Sequence, residues 1–137
     1  MKFAAAVLTL AVFVQPAVAQ ESATPTQAAT AAAEAWLPLA DAGDYAGSWS
    51  RAAASFRSMV TQQQWNEAMA KARAPYGAVR SRSFLRAHHT TSLPNAPAGE
   101  YVVIQYQTEF ANKAGVETVV PVREPDGSWK VSGYYIK

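Results

Sequence analysis

Three groups of residues have types and spacings that could do chemistry. His88 and His89 are adjacent, and imidazole is the commonest metal ligand and titrates near neutral pH. Adjacent strand residues point to opposite faces, so one metal cannot easily take both rings. No histidine pair at helical spacing and no HExxH pattern accompanies them, whereas a closed site needs about four ligands. No metal is expected there. The second group is basic: between positions 51 and 86 stand Arg51, Arg57, Lys71, Arg73, Arg80, Arg82 and Arg86 against the single acid Glu67. Arg80, Arg82 and Arg86 alternate along what reads as a strand, so they are expected on one face. There they would either meet a carboxylate, phosphate or anionic surface, or pair internally with Glu100, Glu109 and Glu117 or with Asp41 and Asp44. The third group is aromatic. Trp36, Trp49, Trp65 and Trp129 fall at core positions, and Trp36, Trp49 and Trp129 could ring the mouth of an apolar pocket if helices splay from a sheet.

Other chemistry is excluded by what is missing. With no cysteine among 137 residues there is no disulfide framework, thiolate zinc site, iron–sulfur cluster or cysteine nucleophile. GxSxG, Walker and GxGxxG motifs and a Ser/His/Asp spacing are absent as well, so no cofactor is expected. A formal net charge of only +2 gives nucleic acid little electrostatic purchase, so none is expected as a partner.

The elements that must position these residues divide sharply along the chain. Between Gln20 and Ala78 there are 18 alanines and one valine; from Val79 onward there are 5 alanines and 8 valines. Alanine favours helix and β-branched valine favours a pleated surface, so the split predicts helices first and strands second, an α+β plan. Met1-Lys2 followed by the apolar run Phe3 to Val14 and by Pro16-Ala17-Val18-Ala19 has the form of a cleavable secretory signal over residues 1–19, cut after Ala19. The run is too short for a span of roughly 20 residues, so no stable membrane anchor is expected after cleavage. The short alanine-rich leader predicts the periplasm. Residues 20–26 read as a flexible mature N-terminus, and 27–137 as one domain.

Within that domain the apolar spacing predicts a helix over 27–42, kinked or broken by Pro38 and ended by Gly43. A second helix capped by Asp44 would carry Tyr45, Trp49, Ala52, Phe56 and Met59 inward, and a third would open on the Thr61/Gln64 capping pair and run to Ala72. Period-two patterns over 78–91, 100–110, 116–123 and 128–136 predict four strands joined as an antiparallel meander, with a turn at Pro125-Asp126-Gly127. The second strand would bury Val102, Ile104, Tyr106 and Phe110 and turn Gln105, Gln107 and Glu109 outward.

Three helices followed by four curved antiparallel strands resembles the cone-shaped domains typified by nuclear transport factor 2, also called cystatin-like. A closer resemblance lies in Trp36-Leu37, Asp41-Ala42-Gly43-Asp44-Tyr45, Ser48-Trp49, Phe56, Trp65, Arg73 with Gly77, Leu93-Pro94, Pro97 to Tyr101, Phe110, Glu117-Thr118 and the ending Trp129 to Tyr134. These are similar to the bacterial family known as domain of unknown function 4019. That resemblance implies export and a single small domain, and it brings no established activity and no catalytic residues. The cone-shaped class includes enzymes with a carboxylate base and a tyrosine donor, which by analogy makes Glu109 or Glu117 with Tyr106, Tyr134 or Tyr135 a candidate pair. The expected function is a small binding or interaction module with Arg80, Arg82, Glu117, Trp36 and Trp49 as binding candidates. Its partner would be a small molecule, an envelope protein, or a second copy docked on the outer sheet face.

Overall fold

A computed structural model describes residues 22–137; the expected signal peptide lies outside them. Helix α1 (Pro25–Asp41) starts two residues earlier than expected, because Thr24 accepts the Gln27 amide while the Gln27 side chain accepts the Thr24 amide. This reciprocal cap satisfies two free donors, and Pro25 suits a first-turn position that needs no N–H. The helix continues through Pro38 without breaking. Two residues beyond its end, Gly43 with a φ of 73° lets the Asp44 amide turn back to the Leu39 carbonyl at 2.9 Å.

The expected second helix is two helices, α2 (Tyr45–Ser50) and α3 (Ala54–Met59), so among the described residues four helices precede the sheet rather than three. Local propensity alone would carry alanine-rich 51–54 onward as helix. Instead Ala53 is extended and donates its amide to the Val131 carbonyl at 2.8 Å, with Ala52 and Ala53 both buried. Tertiary packing overrides propensity here. The break re-aims the stripe: Phe56 is buried, but Met59, expected inward, is 64% exposed. Helix α4 (Gln62–Arg73) has the expected Thr61/Gln64 box and buries Trp65, Met69 and Arg73.

The strands β1 (Val79–Thr90), β2 (Tyr101–Phe110), β3 (Ala114–Arg123) and β4 (Trp129–Ile136) form one antiparallel sheet in sequence order. The β3–β4 turn closes as expected, with Gly127 at φ 87° donating to the Glu124 carbonyl. α1 packs across all four strands, and β2 buries Val102, Ile104, Tyr106, Thr108 and Phe110 beneath the helices. At one end of this core Trp36 lies 6.4 Å from Trp65 and 5.5 Å from Tyr134, while Phe56 meets Trp65 edge-on at 5.0 Å. Ser48, fully buried, satisfies both indoles: its carbonyl accepts Trp36 Nε1 and its hydroxyl accepts Trp65 Nε1, each at 2.9 Å. No helix among the described residues is long and apolar enough to cross a membrane.

β1 departs from regular pairing at two places, between Val79 and Ser81 and between Phe84 and Arg86. Each irregularity inserts a residue and resets which face the next side chain meets. Arg82 therefore sits opposite Thr108 on the helix-covered side, Arg86 sits opposite Gln105 on the other, and Arg80 falls in the first irregularity. The expected one-faced arginine stripe does not form.

Candidate functional site

Six elements each send one side chain to a single polar cluster under the helices. Glu117 on β3 is its centre and is fully buried. Its Oε1 accepts Arg82 Nε from β1 at 2.8 Å and Thr108 Oγ1 from β2 at 2.5 Å. Its Oε2 accepts the Tyr134 hydroxyl from β4 and faces Nη1 of Arg73, the last residue of α4, at 3.5 Å. Asp41, the last residue of α1, closes the cluster. Its Oδ1 accepts Arg73 Nη2 at 3.0 Å and Arg82 Nη2 at 2.8 Å, and its Oδ2 accepts Arg82 Nη1 at 2.9 Å. Arg73 Nη1 also donates to the Tyr134 oxygen at 2.7 Å, and its guanidinium lies over the rings of Phe110 and Tyr134.

Two arginines against two carboxylates leave the cluster neutral, which is what permits charge at this depth. Burial pushes the Tyr134 hydroxyl above its ordinary range, and the Glu117 charge adds to the push. Burial works against the Arg82 charge, but hydrogen bonds to Asp41 and Glu117 outweigh it and raise its pKa. A carboxylate offers about four acceptor positions, and four donors surround Glu117. A general base needs a free lone pair for the substrate's proton, and in this arrangement all four positions on Glu117 face protein donors.

The candidates from sequence scatter around this centre. Arg82, Glu117, Asp41 and Tyr134 come together. Glu109 is exposed on the opposite side of β2, opposite Ser81 and Ala114, and reaches none of them. Arg80 is exposed at its irregularity and Tyr135 is 48% exposed. Arg86 donates to Gln105 Oε1 at 2.6 Å. Asp44 caps α2 through the Gly47 amide at 2.9 Å. His88 and His89 alternate against Val103 and Val102, and His89 Nε2 lies 2.9 Å from Glu100 Oε1. That bond, with a second from Arg123, holds the Glu100 carboxyl below its usual range. Arg73 and Thr108 are the members that sequence reasoning did not assign. Arg73 had a signal, since it continues the Trp65–Met69 stripe of α4 at a further four-residue step, where an apolar side chain would be ordinary.

A cleft of about 240 Å³ opens beside the cluster between α1 and β1, lined by Glu34, Leu37, Pro38, Arg82, Phe84 and Tyr106. Tyr106, 2% exposed, stands edge-on to Phe84 at 6.1 Å, and its buried hydroxyl has no hydrogen-bond partner among the described residues. Burial, reinforced by the charge of Glu34, pushes that hydroxyl up to about 12. Glu34 and Phe84 also belong to a neighbouring groove with Thr26, Gln27, Thr30 and Ala31. At another place Trp36 and Trp129 line a cleft of about 360 Å³. Trp49 is absent from it, because its indole donates to the Val60 carbonyl at 2.7 Å and lies under Arg57.

Fold and site define a small α+β domain in which a buried neutral ion cluster ties all four strands of one antiparallel meander to the ends of α1 and α4. The chain belongs to the family described as "Protein of unknown function (DUF4019)", whose model matches residues 32–134. That span takes in every member of the cluster. No curated protein and no solved structure matches the chain.

Proposed function

We propose that the chain is a small exported binding module, with a cone-shaped domain of the nuclear transport factor 2 type, that seats a small molecule in the α1–β1 cleft. The carrying observation is the Tyr106 hydroxyl. A buried polar group without a partner costs roughly 1–3 kcal/mol, and here that group belongs to a residue lining a cleft with apolar walls and with Glu34 and Arg82 as its charged edges. The hydroxyl is closed off from the cleft as it stands, so a ligand with an apolar body against Leu37, Pro38 and Phe84 relieves that cost by turning Phe84 or the Tyr106 ring enough to bring one acceptor to the hydroxyl. The cluster behind the cleft keeps Arg82 and the cleft wall fixed, which lowers the ordering cost of binding. The enzyme reading has less support, because Glu117 is saturated and Glu109 stands elsewhere.

A second reading is favoured by one feature: Phe84 and Leu85 are 53% and 49% exposed on β1, an edge strand. An envelope protein or a second copy could cover them. Light scattering across a concentration series separates a self-association from a monomer. For the leading reading the test is native mass spectrometry of the protein released gently from the periplasm. A retained non-covalent mass supports the seat, and a bare chain opposes it. The same spectrum gives the N-terminus, expected at Gln20.

A further inference from the structure

The Trp36–Trp129 cleft lies where α1, the end of α2 and the start of β4 meet. Ala32 and Ala35 of α1 line it with small side chains, Val131 adds an apolar wall, and Trp129 is half-buried there. Arg51 and Lys130 also line it, and both are exposed. Neither side chain makes a hydrogen bond or ion pair with any described residue, whereas the side chains of Arg73, Arg82 and Arg123 each meet a carboxylate. The Ser128 hydroxyl and amide, at 2.6 and 2.9 Å from Asp126 Oδ1, hold that carboxyl below its usual range, and Lys130 adds only a lesser, through-space contribution. The cleft thus pairs an aromatic and alanine floor with two uncommitted cations, and its volume of about 360 Å³ suits a ring-sized molecule.

We infer that this cleft is a second binding site, independent of the α1–β1 seat, for a small organic anion with a flat apolar body, an aryl carboxylate in chemical class. The ring lies against Trp129 and the alanines, and the carboxylate meets Arg51 and Lys130. Guanidinium and ammonium donors to a carboxylate give charge-assisted bonds, roughly twice as strong as neutral ones, while the indole supplies stacking area.

The test uses the protein as purified from cells, labelled with nitrogen-15, and titrates it with indole-3-acetate and, separately, with uncharged indole-3-acetamide. The acetate is expected to shift the Trp129 indole signal and the amides of Ser50, Arg51, Lys130 and Val131. The amide should bind about tenfold more weakly, as follows from losing a charged hydrogen bond. Arg51→Gln and Lys130→Gln, both at exposed positions, should each weaken the acetate by about tenfold with the rest of the spectrum unchanged. Equal binding of acetate and amide overturns the inference, as does wild-type affinity in both glutamine variants. So does the absence of shifts at Trp129 up to the solubility limit of the acetate, or their appearance at Phe84 and Tyr106 instead.

Discussion

Replacing Glu117 by glutamine keeps the shape of the side chain and removes the charge at the centre of the cluster. The fully buried carboxylate accepts from Arg82, Thr108 and Tyr134 and faces Arg73. Glutamine offers one acceptor oxygen, so its NH₂ must confront two of those donors. Arg73 and Arg82, 6% and 16% exposed, are left with Asp41, whose side chain is 25% exposed, as their only carboxylate. Breaking a buried ion pair from one side costs about 3–5 kcal/mol, a large share of the roughly 5–15 kcal/mol that holds a domain together. In urea unfolding the midpoint should fall by roughly 2 M at unchanged slope. Glu109→Gln, exposed and outside the cluster, is the control and should stay within about 0.5 kcal/mol of the parent. A Glu117→Gln loss below about 1 kcal/mol would refute the reasoning, because a surface pair is worth no more than that.

Other outcomes follow from the same contacts. Ser48→Ala strands the Trp65 indole N–H in the core and should cost about 1–3 kcal/mol by the same assay. Arg82→Met should destabilise by about 3–5 kcal/mol, while Arg80→Ala, exposed at the β1 irregularity, should change stability by less than about 0.5 kcal/mol. Tyr106 and Tyr134 keep their protons longer in the folded chain than in the unfolded one, whose tyrosines titrate near 10. Their contribution is therefore complete below that pH and is lost as pH rises from there through the raised folded values. Tyrosinate absorbance should show these two hydroxyls ionising only as the fold is lost; early ionisation of both in the folded protein would contradict their burial.

What sequence could foretell was what local pattern dictates. The alanine-to-valine switch, the Thr61/Gln64 box and the Pro125-Asp126-Gly127 turn each act within a few residues, and each corresponds to an element found. The division of α2 from α3 depends on Ala53 finding Val131 some eighty positions away, and no helical spacing reports that. The arginine stripe failed for a related reason. Strict alternation assumes unbroken pairing, and the register shifts in β1 depend on the partner strand. Arg82, Glu117 and Asp41 could be singled out by type, but their meeting required strand register and two helix ends. Tyr106 was expected on the buried face, yet only the packed structure reveals a hydroxyl left without a partner.

The seat proposed for this chain stands on that hydroxyl, and Tyr106→Phe tests it most directly, with urea unfolding of both proteins stripped of any ligand. Phenylalanine fills the same space without an unsatisfied oxygen, so the ligand-free variant should be more stable than the parent by about 1 kcal/mol or more. A variant less stable than the parent would mean that the hydroxyl already has a partner, and the α1–β1 cleft would lose its claim to be a binding seat.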